Sequence, residues 1–391
     1  MILTLKQEQG LKECIERYKN GEKYCVISGY AGAGKSTLVK VIIDNLPGVN
    51  PIEDVVYACY TGKAAQVLLK KGNKNVITLH KLLYESIPRP DGTFFRKPKD
   101  EIDYDIVVVD EVSMAPRFLM ELLFKHDCFI ICLGDPFQLP PVDKDQDNGL
   151  LAHPHVFLDE IMRQALDSNI IRLSMKIRHQ DRIDYGKDSD AIVMSYEKLS
   201  TGVLKWGDQI LVGTNKARIN INQTLRKMQG RGLEPEEGDK VICLRNYWDD
   251  LAFNNDPLVN GTVGYISNLY SSFNKIPPYC GGQTIPVLYA DFLSDSNADF
   301  GNLCMDKHQI VTGERSLDAR TIYKLNSRRN TQHLVPMEFT YAYAITTHKA
   351  QGSEWDKVVV LEEGFPFARE EHARWLYTAV TRASEQLVLV R

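Results

Sequence analysis

The sequence predicts an α/β protein with two cores built on mostly parallel sheets and a small β-rich insertion in the second core. Short apolar runs, such as residues 24–27 and 106–109, are each followed by polar residues and a helical pattern, which is typical of strand–helix repeats. Strands that are apolar on both faces indicate sheets covered by helices on both sides. Between residues 232 and 335 the pattern changes to short alternating runs rich in glycine, proline and asparagine. The α/β pattern then returns, so the insertion lies inside the second core.

The composition is that of a globular protein. The 391 residues are 43% hydrophobic and 25% charged, and the formal net charge is -4, so a nucleic-acid surface would have to be a local basic patch. No apolar run approaches the length of a membrane span, and the first residues do not form a secretory signal. The eight cysteines form no C-x-x-C pair. Four of them lie in apolar strand-like runs, and we expect buried, reduced thiols in a cytoplasmic protein: Cys25, Cys59, Cys128 and Cys132.

The first strand leads into a phosphate-binding loop with the pattern G-x-x-x-x-G-K-[ST]. Its glycines allow backbone N–H groups to turn toward an anion, and the following helix adds unpaired N–H donors. Lys35 can reach the β- and γ-phosphates, and the Ser36 hydroxyl can take a position on Mg²⁺. A glycine-rich turn that binds nothing is the alternative, but the strand–loop–helix context favours ATP and Mg²⁺. The predicted nucleotide-binding residues of this segment are Gly29, Ala31, Gly32, Ala33, Gly34, Lys35, Ser36 and Thr37.

Residue Gln7 has two interpretations. Thr4 is a predicted helix N-cap, and a glutamine three residues later can close a capping box. The Gln7 amide could also hydrogen-bond an adenine edge, because it carries both a donor and an acceptor.

Polar residues follow two further buried strands. Asp110 and Glu111 end the run at 106–109, where Asp110 can hold Mg²⁺ and Glu111 can act as the general base toward water. Paired acids could instead cap a helix, but the phosphate loop favours the catalytic interpretation. After the run at 128–133, Gln138 is suited to sensing a γ-phosphate, since its amide can donate to phosphate and accept from water.

Residues 84–101 carry two prolines, an Asp-Gly turn signal and Phe94-Phe95 beside cations, which predicts a small protruding hairpin. A solvated surface loop is one interpretation. Exposed aromatic rings flanked by cations would also suit stacking on nucleic acid.

The second core is expected to begin near residue 157. A helix with Ile170, Leu173 and Ile177 on its apolar face precedes a strand at 209–212. The helix after that strand carries Lys216, Arg218, Arg226 and Lys227, which could form either a groove along a nucleic-acid backbone or a solvated face. In the insertion, short strands are expected near 238–243, 259–266, 284–289 and 308–311. Residues 339–354 are expected to begin as a helix, and a helix near 374–384 is expected to end at Arg382.

Taken together, these segments resemble superfamily 1B DNA helicases of the RecD/Dda type. The matching motifs occur in the family's order from residue 3 to the final strand: GYAGAGKST, ACYTGKAA, TLHKLL, VVVDEVSM, LGDPFQLPPV, MRQALDS, GTNKARIN, THKAQGSEWD and YTAVTRA. The resemblance implies two RecA-like cores, at residues 1–155 and at 156–235 with 336–391. It also implies a strand-separating pin at 84–101 and an SH3-like β-barrel at 236–335.

The resemblance also implies roles for individual residues. Gln7 would read adenine, Lys35, Ser36, Asp110, Glu111 and Gln138 would serve ATP hydrolysis, and Arg163 and Arg382 would reach the γ-phosphate from the second core. Glu354 would contact the ribose. The family often has a proline where Tyr60 stands, so stacking of Tyr60 on a base is in question. The implied DNA contacts are Tyr60, Thr61, Lys63, His80, Phe94, Phe95, Thr214, Asn215, Thr347 and His348.

The expected function is an ATP-dependent DNA helicase that moves along single-stranded DNA, and the resemblance implies travel from 5′ to 3′. Its expected partners are single-stranded DNA, duplex junctions and replication or recombination proteins, with the chain itself a monomer. The cytoplasm in which it acts could be that of a bacterial host, if the chain is a phage protein. A translocase that remodels protein–DNA complexes without unwinding, and a nucleotide-regulated accessory factor, remain alternatives. DNA-stimulated ATP hydrolysis and strand separation would distinguish the three.

Overall fold

The computed structural model describes residues 3–88, 94–141, 144–160, 167–252, 257–295, 297–328, 330–364 and 368–391. The chain forms two compact units. The first contains Met1–Tyr84, Pro98–Gly213 and Thr347–Arg391. The second contains Glu85–Lys97 and Thr214–Thr346.

The first unit begins with a six-stranded parallel sheet in the order β3-β2-β6-β7-β1-β8. The helices up to residue 160 are α1 (Leu5–Lys19), α2 (Lys35–Asn45), α3 (Gly62–Lys70), α4 (Leu79–Leu83) and α5 (Arg117–Leu123). The strands are β1 (Tyr24–Gly29), β2 (Val55–Cys59), β3 (Val76–Thr78), β4 (Tyr84–Pro88), β5 (Phe94–Pro98), β6 (Ile106–Asp110), β7 (Phe129–Gly134) and β8 (Val156–Leu158). The prediction of an α/β core on a parallel sheet is confirmed.

Both faces of this sheet are covered by helices, as the apolar strands require. One buried cluster joins Cys14 of α1 and Leu38 of α2 to the strands, and another joins Leu82 of α4 and Leu119 of α5 to the opposite face. All of the polar strand ends are therefore left at one edge, because every strand runs in the same direction.

The remaining helices and strands lie between residue 169 and the final strand. The helices are α6 (Asn169–His179), α7 (Thr201–Trp206), α8 (Asn215–Met228), α9 (Lys307–Thr312), α10 (Ala319–Asn326), α11 (Thr347–Ala350) and α12 (Arg369–Val380). The strands are β9 (Gly186–Lys187), β10 (Ala191–Met194), β11 (Gln209–Val212), β12 (Lys240–Cys243), β13 (Tyr247–Leu251), β14 (Pro257–Leu258), β15 (Val263–Lys275), β16 (Thr284–Ser294), β17 (Asp299–Asp306), β18 (Phe339–Tyr341), β19 (Ala344–Thr346), β20 (Trp355–Leu361) and β21 (Ala383–Val390).

A second parallel arrangement completes the first unit, with β11, β20, β21 and β10 side by side and β9 antiparallel at the edge. Helix α12 packs against α6, and both contact β21. The helix expected to end at Arg382 ends at Val380, so Arg382 lies in the turn between α12 and β21.

The second unit contains a five-stranded antiparallel sheet in the order β17-β16-β15-β12-β18. Apolar side chains of this sheet, including Val241, Phe292 and Phe339, form a buried cluster, and Ile285 and Val287 of β16 belong to a second one. The β-rich character expected of the insertion is present in this sheet.

Two segments of the second unit differ from expectation. Residues 339–346, expected to start a helix, form β18 and β19. Phe339, Thr340 and Tyr341 are buried residues with β propensity, and pairing with β12 outweighs the helical pattern. Conversely, residues 308–311 belong to helix α9 rather than a strand, because the Asp306 side chain caps the helix by accepting from the Gln309 N–H.

The predicted hairpin corresponds to strands β4 and β5, which pair with each other. The turn between them, residues 89–93, lies outside the described residues, as do the side chains of Phe94 and Phe95. None of the helices in the described ranges combines the length and hydropathy needed to cross a bilayer. Seven of the eight cysteines are buried, the eighth, Cys304, is half-buried, and all eight are free thiols.

Candidate nucleotide site

The phosphate loop lies between the end of β1 and the start of α2. Gly32 and Gly34 both have a φ of 77°, a left-handed conformation that favours glycine. Gly34 is also the N-cap of α2 and supplies no side-chain cap, so the first N–H groups of the helix remain oriented toward the loop. The Lys35 ammonium donates to the carbonyl oxygens of Gly29 (2.7 Å) and Tyr30 (3.1 Å). The loop thus holds a cation and several backbone donors where an anion would bind.

Two acids stand at the end of β6. Glu111 adopts a left-handed conformation, with φ at 52°, and its N–H donates to a carboxylate oxygen of Asp110 at 2.9 Å. Burial raises the pKa of both carboxyl groups, and the charges of Lys35 and, at Glu111, of Arg382 oppose that rise. This backbone conformation is uncommon for a glutamate, and it occurs directly after the strand, at a residue that lines the cavity described below.

Gln138 connects Glu111 to Arg382. With the amide oriented to satisfy both neighbours, its nitrogen donates to Glu111 Oε2 at 2.9 Å and its oxygen accepts from Arg382 Nη2 at 3.3 Å. Arg382 is only 7% exposed, and its guanidinium also donates to the carbonyl oxygens of Thr378 (3.1 Å) and Ser353 (3.3 Å). The carboxylate, the amide and the guanidinium are therefore held in one hydrogen-bonded row.

These groups meet in a cavity of about 200 Å³ in the first unit. The Glu354 carboxylate, in the cavity wall, forms an ion pair with Lys71 of the same wall at 3.1 Å. The predicted residues that line the cavity are Ala31, Lys35, Ser36, Asp110, Glu111, Gln138, Glu354 and Arg382. The other predicted phosphate-loop residues are outside the lining: Gly29 ends β1, Gly32, Ala33 and Gly34 lie in the loop, and Thr37 lies in α2. Arg163 lies outside the described residues.

Gln7 forms the capping box that its spacing predicts. The Thr4 N–H donates to Gln7 Oε1 at 3.0 Å, and the Gln7 N–H donates to the Thr4 hydroxyl at 3.2 Å. The side chain is buried, and its amide nitrogen lies 3.5 Å from the carbonyl oxygen of Ala33 in the phosphate loop. Adenine recognition by Gln7 stays a prediction.

Two further residues belong to the site, and the sequence analysis does not single them out. Asp135, directly after β7, accepts from the Tyr377 hydroxyl at 2.6 Å, and that hydroxyl accepts from the Ala31 N–H at 2.8 Å. The position of Asp135 at a strand end was a usable signal. Tyr377 lies among the buried apolar residues of α12 and resembles an ordinary core residue in the sequence.

The residues predicted to contact DNA fall in several places. In the first unit, the ring centroids of Tyr60 and His80 lie 5.9 Å apart. The His80 ring stacks on the Tyr84 ring, with a centroid distance of 6.2 Å. Thr61 caps α3 with its side chain, and Lys63 in the first turn of that helix is buried.

Thr347 is fully buried in the first unit, with its hydroxyl donating to the Val212 carbonyl at 3.4 Å, and burial lowers the pKa of the neighbouring His348. In the second unit, Thr214 caps α8 and Asn215 is its first residue. The roles of these residues in DNA binding stay predictions.

The cationic side chains of α8 do not form one exposed surface. Arg226 is buried and forms an ion pair with the buried Asp239 at 3.0 Å, while its guanidinium lies 4.2 Å from the Tyr341 ring centroid. Arg218 donates to the Thr340 hydroxyl at 3.0 Å. Two of the four predicted cations are thus structural, and neither a groove nor a solvated face describes them.

Comparison with known proteins identifies the family. A family model described as an AAA domain matches residues 4–195, and one described as the UvrD-like helicase C-terminal domain matches residues 341–390. The chain is 26% identical to the ATP-dependent RecD2 DNA helicase of Deinococcus radiodurans in an alignment of 389 positions that covers 94% of this chain and 46% of that protein. The chain belongs to the superfamily 1B helicases. The order of its site residues along the sequence is that of the family motifs.

Other relatives extend the comparison. The chain is 31% identical to the uncharacterized protein R530 of Acanthamoeba polyphaga mimivirus, covering 94% of this chain and 95% of that one. The structure of Pif1 helicase from Bacteroides in complex with ADP-AlF3 and single-stranded DNA aligns with a TM-score of 0.55 at 17% identity, covering 100% of this chain and 92% of that chain. This likeness shows a helicase fold with a RecA-like core. The chain spans less than half the length of the RecD2 relative.

Proposed function

We propose that the chain is an ATP-driven DNA helicase that moves along single-stranded DNA and separates duplexes. The observation that carries the proposal is the hydrogen-bonded row from Glu111 through Gln138 to Arg382, set in the same cavity as Lys35 and Ser36. A nucleotide-binding module needs a phosphate loop, whereas it needs neither a general base nor a buried guanidinium. The names of the RecD2 relative and of the Pif1 structures support the same activity.

The residues present fit ATP with Mg²⁺. Ser36 and Asp110 line one cavity, and burial raises the pKa of Asp110, an effect that a nearby divalent cation would reverse. In the described ranges, no group of three or more His, Cys, Asp or Glu side chains could hold a metal ion. Ser36 and Asp110 would therefore share Mg²⁺ with the phosphates and water, and the ion would neutralise charge on the phosphates.

The other residues divide the hydrolysis step among them. Lys35 exchanges the Gly29 and Tyr30 carbonyls for phosphate oxygens when nucleotide enters. Glu111, when ionised, accepts a proton from the attacking water, and Gln138 orients that water. The Arg382 guanidinium stabilises the charge that develops on the transferred phosphoryl group, as a planar fork of donors can.

Motion along DNA follows if Arg382 and the phosphate loop approach and separate with each nucleotide cycle. We assign the sheet that contains β1 to one RecA-like core and the sheet that contains β21 to the other. The hairpin β4–β5 would be the strand-separating pin, and the five-stranded antiparallel sheet the core of an SH3-like barrel. We also propose travel from 5′ to 3′, on the resemblance to the RecD/Dda type.

The proposal is tested by ATPase rates with and without single-stranded DNA, paired with unwinding of 5′-tailed and 3′-tailed duplexes. We expect DNA to stimulate hydrolysis and the 5′-tailed duplex to be opened. Lys35→Ala should abolish both activities while leaving single-strand binding intact. Lys12→Ala, an exposed lysine of α1, serves as a matched control and should behave as the wild type.

Each other outcome has a definite meaning. DNA-stimulated hydrolysis without strand separation would favour a translocase that remodels protein–DNA complexes. Hydrolysis that is indifferent to DNA would favour an accessory factor. Normal turnover in Lys35→Ala would refute the assignment of the phosphate loop.

A further inference from the structure

The Tyr377 hydroxyl joins the phosphate loop to the segment that carries Gln138. It accepts a hydrogen bond from the Ala31 N–H at 2.8 Å and donates one to Asp135 Oδ2 at 2.6 Å. The Tyr377 ring also meets the Phe137 ring edge to face, with centroids 5.2 Å apart. One side chain of α12 therefore contacts both the loop before α2 and the turn after β7.

Tyr377 and Asp135 are buried, and the hydrogen bonds run in one direction, from the Ala31 N–H to the Tyr377 hydroxyl and from that hydroxyl to the Asp135 carboxylate. Asp135 and Tyr377 are each 1% exposed. The Asp135 carboxylate receives the Tyr377 O–H and the Phe137 N–H, the latter at 2.9 Å, so its charge is compensated by two donors. Burial and the neighbouring carboxylate raise the pKa of Tyr377 well above its ordinary value, so the hydroxyl keeps its proton and can donate.

The turn held by Asp135 leads directly to the catalytic row. The Gln138 N–H donates to the Asp135 carbonyl at 3.3 Å, and the Gln138 amide reaches Glu111 and Arg382. The next residue, Leu139, is held through both its N–H and its carbonyl. Its N–H donates to the Thr378 hydroxyl at 3.0 Å, and its carbonyl accepts from the Gln351 amide at 2.7 Å.

We propose that Tyr377 is a positioning residue for ATP hydrolysis, whose hydroxyl fixes the turn at residues 135–139 relative to the phosphate loop and so orients Gln138 toward Glu111 and Arg382. Tyr377 acts through Asp135 and Gln138, and it takes no part in the proton transfer. The proposal rests on the proposed ATPase function and adds to it the residue that links the loop to the amide.

The test is Tyr377→Phe, which removes the hydroxyl and keeps the ring. We expect kcat for ATP to fall about tenfold to a hundredfold, the range for losing one buried hydrogen bond to a charged group. The Kd for a fluorescent ATP analogue should change less than about threefold, because Lys35 and Ser36 are untouched. In a Gln138→Ala background the same substitution should have little further effect on kcat, since both variants disable one path.

Tyr343→Phe is the matched control. The Tyr343 hydroxyl also donates to a buried carboxylate, that of Asp239, at 2.8 Å, but in the second unit. This variant should lose thermal stability to a similar extent without a comparable loss of kcat. A purely structural role for Tyr377 would make the two variants alike in both measurements.

Three results would overturn the proposal: an unchanged kcat in Tyr377→Phe, a loss of kcat no greater than in Tyr343→Phe, or a full additional loss in the Gln138→Ala background. If Tyr377→Phe does not fold, Asp135→Asn takes its place, because it keeps the shape of the acceptor and removes its charge. It should show the same fall in kcat and the same non-additivity, and wild-type kcat in that variant would equally refute the proposal. Wild-type hydrolysis is first compared with Lys35→Ala, so failure of the ATPase function itself is recognised separately.

Discussion

Arg382 brings a full positive charge into a buried site that already contains two carboxyl groups. Because its guanidinium is held by two backbone carbonyls and by Gln138, it is oriented before nucleotide arrives. We expect Arg382→Ala to bind ATP nearly normally but to hydrolyse it about 10³-fold more slowly, by analogy with arginine fingers. Nucleotide binding and single-turnover hydrolysis would be measured separately.

The control for that substitution is Arg182→Ala. Arg182 is an exposed arginine of the same unit, with 90% of its side chain accessible and an ion pair to Asp184. It should leave hydrolysis unchanged. An Arg382→Ala variant with weak ATP binding and normal turnover would count against a role in the transition state.

We expect the acid limb of the pH profile of ATP hydrolysis to report the ionisation of Glu111. Burial raises its pKa above 4.5, and Arg382 lowers it, so the group must lose its proton as the pH rises before it can act as a base. We expect kcat/KM for ATP, which reports the free enzyme, to fall as the pH drops through this raised value. In Arg382→Gln the limb should move to higher pH, because the opposing charge is gone. A limb that stays in place would show that another group titrates.

Much of the site could be predicted at the level of single residues. The cavity is lined by residues that the sequence singles out: Lys35, Ser36, Asp110, Glu111 and Gln138. They are predictable because buried strand ends and a glycine loop can be recognised from a few neighbouring residues. The role of Tyr377 could not be predicted, since its partner Ala31 lies 346 residues away and nothing near Tyr377 indicates that contact.

At the level of secondary structure, the hairpin β4–β5 is the element that we expect to part the strands. Phe94→Ala together with Phe95→Ala should leave DNA-stimulated ATP hydrolysis intact and impair duplex separation, because stacking rings at a junction would be lost. Stopped-flow unwinding and steady-state hydrolysis would be recorded on the same preparations.

Phe118→Ala offers a comparison for the loss of an exposed aromatic ring. Phe118 lies on α5 with 47% of its surface exposed. Unwinding should be unaffected in this variant. If the hairpin variant unwinds at the wild-type rate, β4–β5 is not the pin.

Helix α8 is anchored by a buried ion pair. Arg226→Ala would leave Asp239 buried with only Arg231 and Tyr343 as described side-chain partners. We expect a loss of about 3 kcal/mol in the free energy of unfolding, at the lower end for breaking such a pair. Urea denaturation would measure it, with the exposed neighbour Lys227→Ala expected to change stability by less than about 0.5 kcal/mol.

Secondary structure was predictable where local pattern and tertiary contacts agree. Four of the six strands of the first sheet, β1, β2, β6 and β7, are largely buried apolar runs. The edge strands β3 and β8 have three residues each, are only partly buried and give no such pattern. At residues 339–346 the spacing of apolar residues was compatible with a helix, but pairing with β12 produces strands instead. At residues 308–311 one aspartate cap was sufficient to produce a helix.

At the scale of the whole molecule, the site depends on contacts between residues that are far apart in the sequence. Helix α12 contributes Tyr377 and Thr378 to contacts with Ala31, Asp135 and Leu139 of the first sheet's loops. Reading patterns along a sequence cannot predict such contacts, because periodicity carries no information on distant pairing. The order of the family motifs implied that these distant segments meet, and in the first unit they are in contact.

The state of the cysteines makes the molecule suitable for site-directed labelling. Seven of the eight thiols are buried, and burial raises the pKa of Cys128 to about 11 and also raises that of Cys304, the half-buried one. Thiolate, the nucleophile that attacks maleimide dyes, is therefore scarce near neutral pH at these two positions. A cysteine introduced on an exposed helix face should react far ahead of the native ones, so a fluorophore pair could follow opening of the nucleotide cavity in single molecules.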